Sequence, residues 1–153
     1  MRISLLLCLL FFSLSFTSQL KQEKNEEWIS LFDGKTLNGW KVGANAETFK
    51  VQDGAIVVNG KVAHLFYDGA AGDHNFRNFE LKLDVMTRPG ANSGVYIHTQ
   101  YQESTWPKKG YEVQVNNSQT DWRRTASLYA IQDLKEVFVK DDVWFTMHIL
   151  VKG

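Results

Sequence analysis

The sequence predicts an all-β, antiparallel two-sheet sandwich, and two observations carry that expectation. Beyond residue 27 apolar and polar side chains alternate at period two, with almost no helical periodicity. Turn-forming dipeptides recur at close intervals, at Asp33-Gly34, Asn38-Gly39, Asp53-Gly54, Asn59-Gly60, Asp68-Gly69 and Pro89-Gly90. Short strands joined by tight turns bury their apolar faces best as two stacked sheets. No repeat, low-complexity stretch or linker divides the chain of 153 residues, so one domain is expected.

The first segment stands outside that domain. Arg2 is followed by fourteen uncharged residues, Ile3 to Phe16, and the run stops at Thr17, Ser18 and Gln19 ahead of the charged stretch Lys21 to Glu27. A membrane span needs about 20 apolar residues, whereas a short apolar run behind a basic residue is the pattern of a secretory signal peptide. Residues 1–18 are therefore expected to be a leader cut between Ser15 and Gln19, and the protein to be exported, periplasmic or extracellular. Cleavage removes Arg2 and the single cysteine, Cys8, and turns 17 basic against 17 acidic residues into 16 against 17. The mature form then has no thiol chemistry and no disulfide. A charge of −1 without a basic run supplies no field for nucleic acid, so neither nucleic acid nor a membrane span is expected.

The strands follow in order. Expected strands run over Trp28–Phe32, Thr48–Gln52, Ala55–Val58 and Val62–Tyr67. The clearest is Phe79–Val85, where Phe79, Leu81, Leu83 and Val85 alternate with Glu80, Lys82 and Asp84 as in a half-buried antiparallel strand. Ser93–Thr99 sets Val95 and Ile97 against Tyr96 and His98, and Tyr111–Asn116 sets Val113 and Val115 inward with Glu112, Gln114 and Asn116 outward. Ser127–Ile131 and Val143–Val151 complete nine. In the last of these Phe145, Met147, Ile149 and Val151 form an apolar face, and the chain stops at Gly153. A strand so placed lacks at least one neighbour and exposes an edge, so the domain over residues 28–153 is expected to lack its C-terminal strands.

If Ser93–Thr99 pairs with Tyr111–Asn116, then Tyr96, His98, Glu112 and Gln114 share one exposed face, bringing a carboxylate, an imidazole, a phenol and an amide together. Such a patch suits a polyhydroxylated ligand, although any solvated sheet face carries polar residues. The connecting loop holds Trp106, Pro107, Lys108, Lys109 and Gly110, an aromatic and two cations placed to close over a sugar. His64, His74, His98 and His148 show no metal-ligand spacing, and Asp68, Asp73 and Asp84 sit in no calcium-loop pattern. The chain has neither a Gly-x-Ser-x-Gly elbow nor a phosphate-cradling glycine loop. Glu112 is the one acid assigned to the polar face, which favours a single general base over the acid and nucleophile pair of ordinary glycosidases.

Three stretches carry a family resemblance: Leu31-Phe32-Asp33-Gly34-Lys35-Thr36-Leu37-Asn38-Gly39-Trp40, then Asn92-Ser93-Gly94-Val95-Tyr96-Ile97, then Gly110-Tyr111-Glu112-Val113-Gln114-Val115. In that order they resemble the 3-keto-disaccharide hydrolase family, from about Trp28 to the last residue. The resemblance implies a concanavalin A-like jelly roll, bacterial export and action on 3-keto glycosides. A ketone at C3 acidifies the C2 proton, so one base starts an elimination that expels the C1 oxygen, and water then adds to the enone. The roles it implies are Glu112 as base, His98 or Tyr96 as enolate stabiliser or acid, and Gln114, Asn92 and Tyr129 as hydroxyl partners. Trp106 and Lys109 are expected to close the substrate site. A divalent cation across the 3-keto and 2-hydroxyl oxygens is compatible with this chemistry, and its ligands are unknown from the sequence. The chain departs from the family pattern where His98 replaces a common Arg, Asn116 a common Asp, and Ala126 a common Gly, and members continue past the position of Gly153. The alternative reading is a non-catalytic carbohydrate-binding sandwich, using the same face without chemistry.

Overall fold

The computed structural model describes residues 27–153, so the leader expected over residues 1–18 lies outside the described residues. The chain is all-β and antiparallel, consistent with a β-sandwich, with no α-helix among the described residues. The described residues form eight strands: β1 (Trp40–Val42), β2 (Phe49–Gln52), β3 (Ala55–Val58), β4 (Leu65–Tyr67), β5 (Phe79–Val85), β6 (Ser93–Ile97), β7 (Tyr111–Val115) and β8 (Phe145–Val151). They pair as β1 with β4, β2 with β3, β5 with β8 and β6 with β7. The β2–β3 turn is Asp53-Gly54, both at positive φ (51° and 76°), the backbone that a two-residue type I′ hairpin requires.

On the inward face of the β5–β8 ladder apolar residues meet: Leu81 lies opposite Ile149, Leu83 opposite Met147 and Val85 opposite Phe145. Met147 and Ile149 are buried, while the other face carries polar pairs such as Thr146 Oγ1 donating to Asp84 at 2.6 Å. The terminal strand thus finds one neighbour along its whole length, and its second edge has no strand beside it among the described residues.

Two expected strands are not formed. Trp28–Phe32 runs as irregular chain because Asp33 closes a tight turn directly after it, accepting the Lys35 and Thr36 amides at 2.7 and 2.6 Å. The Thr36 hydroxyl, with those two amides behind it, lowers the pKa of the Asp33 carboxyl to about 2. Instead of pairing, Trp28 lies beside the outer face of the β5–β8 ladder, under the Lys82 ammonium at 4.3 Å. Residues 127–131 do run beside β7, but Ala126 and Ala130 take left-handed φ values of 72° and 59°, which break the extended chain at both ends. Only Leu128 keeps a bridge to β7, opposite Val113. The unforeseen strand β1 is a three-residue piece between Gly39 and Gly43.

At Ala126 the Gln114 amide donates to the Ser127 carbonyl at 2.9 Å while the Ala126 amide donates to the Gln114 carbonyl at 3.0 Å. Two residues thus face one, as in a bulge whose first position favours glycine.

The most deeply buried side chains are polar, Gln114, Asn116 and Ser127. The expectation that Gln114 and Asn116 point outward is corrected, because the returning chain 119–134 covers that end of β7. Asn116 spends its whole amide on this segment. Its Nδ2 donates to the carbonyls of Asp121 and Arg123, both at 2.9 Å, and its Oδ1 accepts from the Gln119 amide at 2.9 Å and from Arg124 at 3.3 Å. Both donors face carbonyls, which accounts for Asn rather than Asp at this position.

Asn116→Asp sets a carboxylate oxygen against two carbonyls in a fully buried place and is expected to cost about 2–4 kcal/mol, read by denaturant unfolding. Ala126→Gly is expected to raise stability by about 0.5–1 kcal/mol, left-handed strain of roughly 1–2 kcal/mol being offset in part by glycine entropy of roughly 0.5–1 kcal/mol. The same unfolding measurement checks it.

Candidate functional site

The β6–β7 ladder sets Tyr96 opposite Glu112 and Gly94 opposite Gln114. On the far side of β7 the Tyr129 amide donates to the Glu112 carbonyl at 2.9 Å, so the returning segment lies beside Glu112 in turn. Glu112 is therefore flanked by a phenol on each side. All three side chains line a cavity of about 500 Å³, within the range of small-ligand sites.

Tyr96 Oη donates to Glu112 Oε2 at 2.8 Å. Burial pushes the Glu112 carboxyl above the ordinary glutamate range, the charge of Asp121 adds to that rise, and the Tyr96 hydrogen bond opposes it. Burial raises the Tyr96 phenol as well, and the bond to Glu112 reinforces this, so Tyr96 stays protonated and donating. Room for the carboxylate comes from Gly94. A Cβ at that position would sit 2.7 Å from Glu112 Cγ and 2.9 Å from its Cδ.

Next along the wall, Gln114 Nε2 donates to Asn92 Oδ1 at 2.8 Å, while Gln114 Oε1 is buried without a hydrogen-bond partner. An orphaned acceptor of this kind costs free energy until a donor reaches it. Trp106 closes the cavity from the β6–β7 loop. That loop is tied together by Gln102, whose Nε2 donates to the carbonyls of Ser104 and Trp106 at 2.9 and 2.6 Å and whose Oε1 accepts the Lys108 amide at 3.1 Å.

The structure brings together Glu112, Tyr96, Gln114, Asn92, Tyr129 and Trp106 around this cavity, and leaves out His98 and Lys109. The shared face expected for His98 is corrected: β6 ends at Ile97, and His98 takes a left-handed φ of 53°. Its ring turns away, Nε2 lying 2.9 Å from the Arg77 carbonyl and the imidazole edge-on to Phe79.

Several residues in and around the site escape the sequence reading, Gly94, Asp121 and His64 among them. Gly94 had a signal, since glycine inside a strand marks a close approach by another group. Asp121 also lines the cavity, but it arrives on the irregular return that Asn116 holds, and no periodicity announces it. His64 stands edge-on to Tyr96 and Trp106, with ring centroids 5.5 and 6.5 Å away, and burial lowers its pKa so that the ring is held neutral. It lines a smaller cleft of about 190 Å³ that shares Trp106 with the main cavity. No group of three or more His, Cys, Asp or Glu side chains suited to a metal ion occurs among the described residues. No helix among them is long and apolar enough to cross a membrane.

Comparison with known proteins bears on this arrangement. The profile of the 3-keto-alpha-glucoside-1,2-lyase-like domain matches residues 27–153. The chain belongs to that family. A 3-keto-disaccharide hydrolase of Bacteroides thetaiotaomicron is 39% identical over an alignment of 80 residues, the match covering 48% of this chain and 28% of that relative. The chain thus spans less than a third of the relative it matches. The cavity flanked by Tyr96 and Tyr129 lies on the Asn92–Ile97 and Gly110–Val115 stretches of the family domain.

Gly94→Ala tests the geometry around Glu112. Its backbone is not left-handed, so alanine is tolerated and the carboxylate must move instead. Stability is expected to stay within about 1 kcal/mol, while any turnover of a 3-keto glycoside falls on the order of 10²-fold. Unfolding and initial rates are measured on the same preparation.

Proposed function

We propose that this chain is an exported enzyme of the 3-keto-disaccharide hydrolase type, cleaving the glycosidic bond of 3-keto glycosides by C2 proton abstraction, elimination and hydration. The observation that carries this reading is Glu112, a half-buried carboxylate held by Tyr96 on the wall of a cavity large enough for a sugar. Family membership supports the substrate class.

Unactivated glycosides need a nucleophile or a water set opposite a strong acid. A ketone at C3 removes that demand, because the C2 proton becomes acidic and one base begins the reaction. Glu112 takes that proton. Its raised basicity brings it closer to the working pH, where a general base is most effective. Tyr96 keeps the carboxylate in one orientation and, being firmly protonated, continues to donate while charge builds beside it. Asn92 accepts from Gln114 Nε2 and so fixes that amide in the wall behind the carboxylate. Trp106 gives the ring an apolar face to lie on. A binding module would use Trp106 and the amides equally well but has no use for a desolvated carboxylate, which costs stability when ionised.

Glu112→Gln is expected to lower turnover of a 3-keto glucoside by about 10²–10⁴-fold with binding largely retained. Stability should move the other way. Burial favours the neutral acid in the fold, so this contribution is present below the unfolded-state pKa and is lost as pH rises through the higher folded-state value. The variant is therefore expected to be more stable than wild type at neutral pH and to lose that advantage in acid. Sugar release, enone absorbance and unfolding at two pH values check the set, and wild-type rates in the variant would remove Glu112 from the mechanism.

A further inference from the structure

The elimination leaves one proton unaccounted for. As the bond from C1 to the leaving oxygen breaks, its electron pair stays on that oxygen, and a sugar or alkyl alkoxide departs slowly unless it is protonated. Tyr96 is poorly placed to help, since its hydroxyl hydrogen is given to Glu112 at 2.8 Å and burial resists its ionisation. His98 faces Arg77 instead of the cavity.

The other flank of Glu112 carries a second phenol beside a second carboxylate. Tyr129 lines the cavity, and its Oη lies 3.4 Å from Asp121 Oδ2, a long contact that leaves the hydroxyl able to turn to a ligand. Arg123 stacks on the Tyr129 ring, its guanidinium carbon 4.5 Å from the centroid, and is anchored by Asp133 at 3.1 Å and by Asp121 at 3.6 Å. The ring is thus fixed from one face, with a cation beside the negative charge that proton donation leaves. Asp133 also accepts the Ala130 amide at 2.9 Å, which ties the segment down just after Tyr129.

We infer that Tyr129 is the acid that protonates the leaving oxygen, with Asp121 as its positioning residue; this rests on the function proposed above. Glu112 removes the C2 proton, the C2–H electron pair becomes the C1–C2 π bond conjugated with the ketone, and the C1–O bond breaks as Tyr129 Oη gives its proton to the departing oxygen. Water then adds to the enone. Its hydroxyl bonds to C1, its remaining proton restores Tyr129, and Glu112 returns the first proton to C2. No oxidant or reductant is required.

The test compares two 3-keto glucosides, one releasing p-nitrophenol, which leaves without protonation, and one releasing methanol, which does not. Tyr129→Phe is expected to slow the methyl glycoside by about 10²-fold or more and the nitrophenyl one by less than about fivefold. In deuterated water it should still exchange the C2 hydrogen, whereas Glu112→Gln should not. Asp121→Asn should show the same leaving-group dependence in milder form, with kcat affected more than KM. Equal loss on both glycosides, or no loss on the methyl one, overturns the assignment, since a residue that merely supports the fold does not distinguish leaving groups. A wild-type chain that neither exchanges the C2 hydrogen nor releases p-nitrophenol overturns the parent reading, and this one with it.

Discussion

Asn116 stands at the centre of the arrangement because its amide, fully buried, is the one group that fastens the return 119–124 to the end of β7. Backbone bonds to β7 and its end begin only at Thr125, which donates to the Asn116 carbonyl at 3.0 Å, so residues 119–124 are held there by side-chain hydrogen bonds. The bonds continue outward. The Asn116 backbone N–H donates to Thr125 Oγ1 at 2.9 Å, Thr125 donates to Asn117 at 2.6 Å, and Asn117 donates to Thr87, which in turn donates to Asp141 at 2.6 Å. A polar network with every member satisfied specifies one geometry, since each alternative leaves a buried group without a partner. Asp121 and Tyr129 reach Glu112 as a consequence of that geometry.

Much of this was legible in the sequence wherever chemistry and period coincide. β3 and β5 form over the expected residues because a sharp turn or a long alternation bounds each. The convergence of Tyr96, Glu112 and Gln114 follows from pairing two strands whose alternation was already visible. Alternation says which side chains share a face, however, and not which side of the sheet is covered. Gln114 and Asn116 were read as outward because they are polar, and they are buried because an irregular segment with no pattern of its own lies over them. His98 fails for another reason. A single left-handed residue ends the strand, and period two stops at that residue without any change in the composition around it. Trp28–Phe32 shows the reverse error, an apolar run that forms no strand and of which Trp28 lies against Lys82 and His148 of the β5–β8 ladder.

The same limit explains why one carboxylate was foreseen and two are present. Glu112 lies on a regular strand; Asp121 lies on a turn, where it also accepts the Arg123 amide at 3.0 Å and would pass for an ordinary turn aspartate. Only the folded geometry shows that the turn opens onto the cavity. Two carboxylates on one wall raise the question of a glycosidase pair, and the surroundings answer it. Asp121 is bound into the Arg123 cluster, whereas the Glu112 side chain lies over Gly94 and takes the Tyr96 hydroxyl. Their partners differ, so their tasks do as well.

How strong a base Glu112 can be is decided by three competing effects, and their order matters more than any one of them. Burial is the largest and raises the carboxyl; the Tyr96 hydrogen bond is next and lowers it; the charge of Asp121 raises it again. If Tyr96 outweighed burial, the carboxylate would be well placed but weakly basic, fit to bind a cation or a hydroxyl. If burial acted alone, the group would be a stronger base free to rotate, and the reacting proton would meet it in one orientation among several. The balance found here gives a carboxylate both raised and fixed. A base of that strength still falls far short of removing a proton from an unactivated carbon, so the site suits a substrate whose C2 hydrogen is already acidified by a neighbouring ketone.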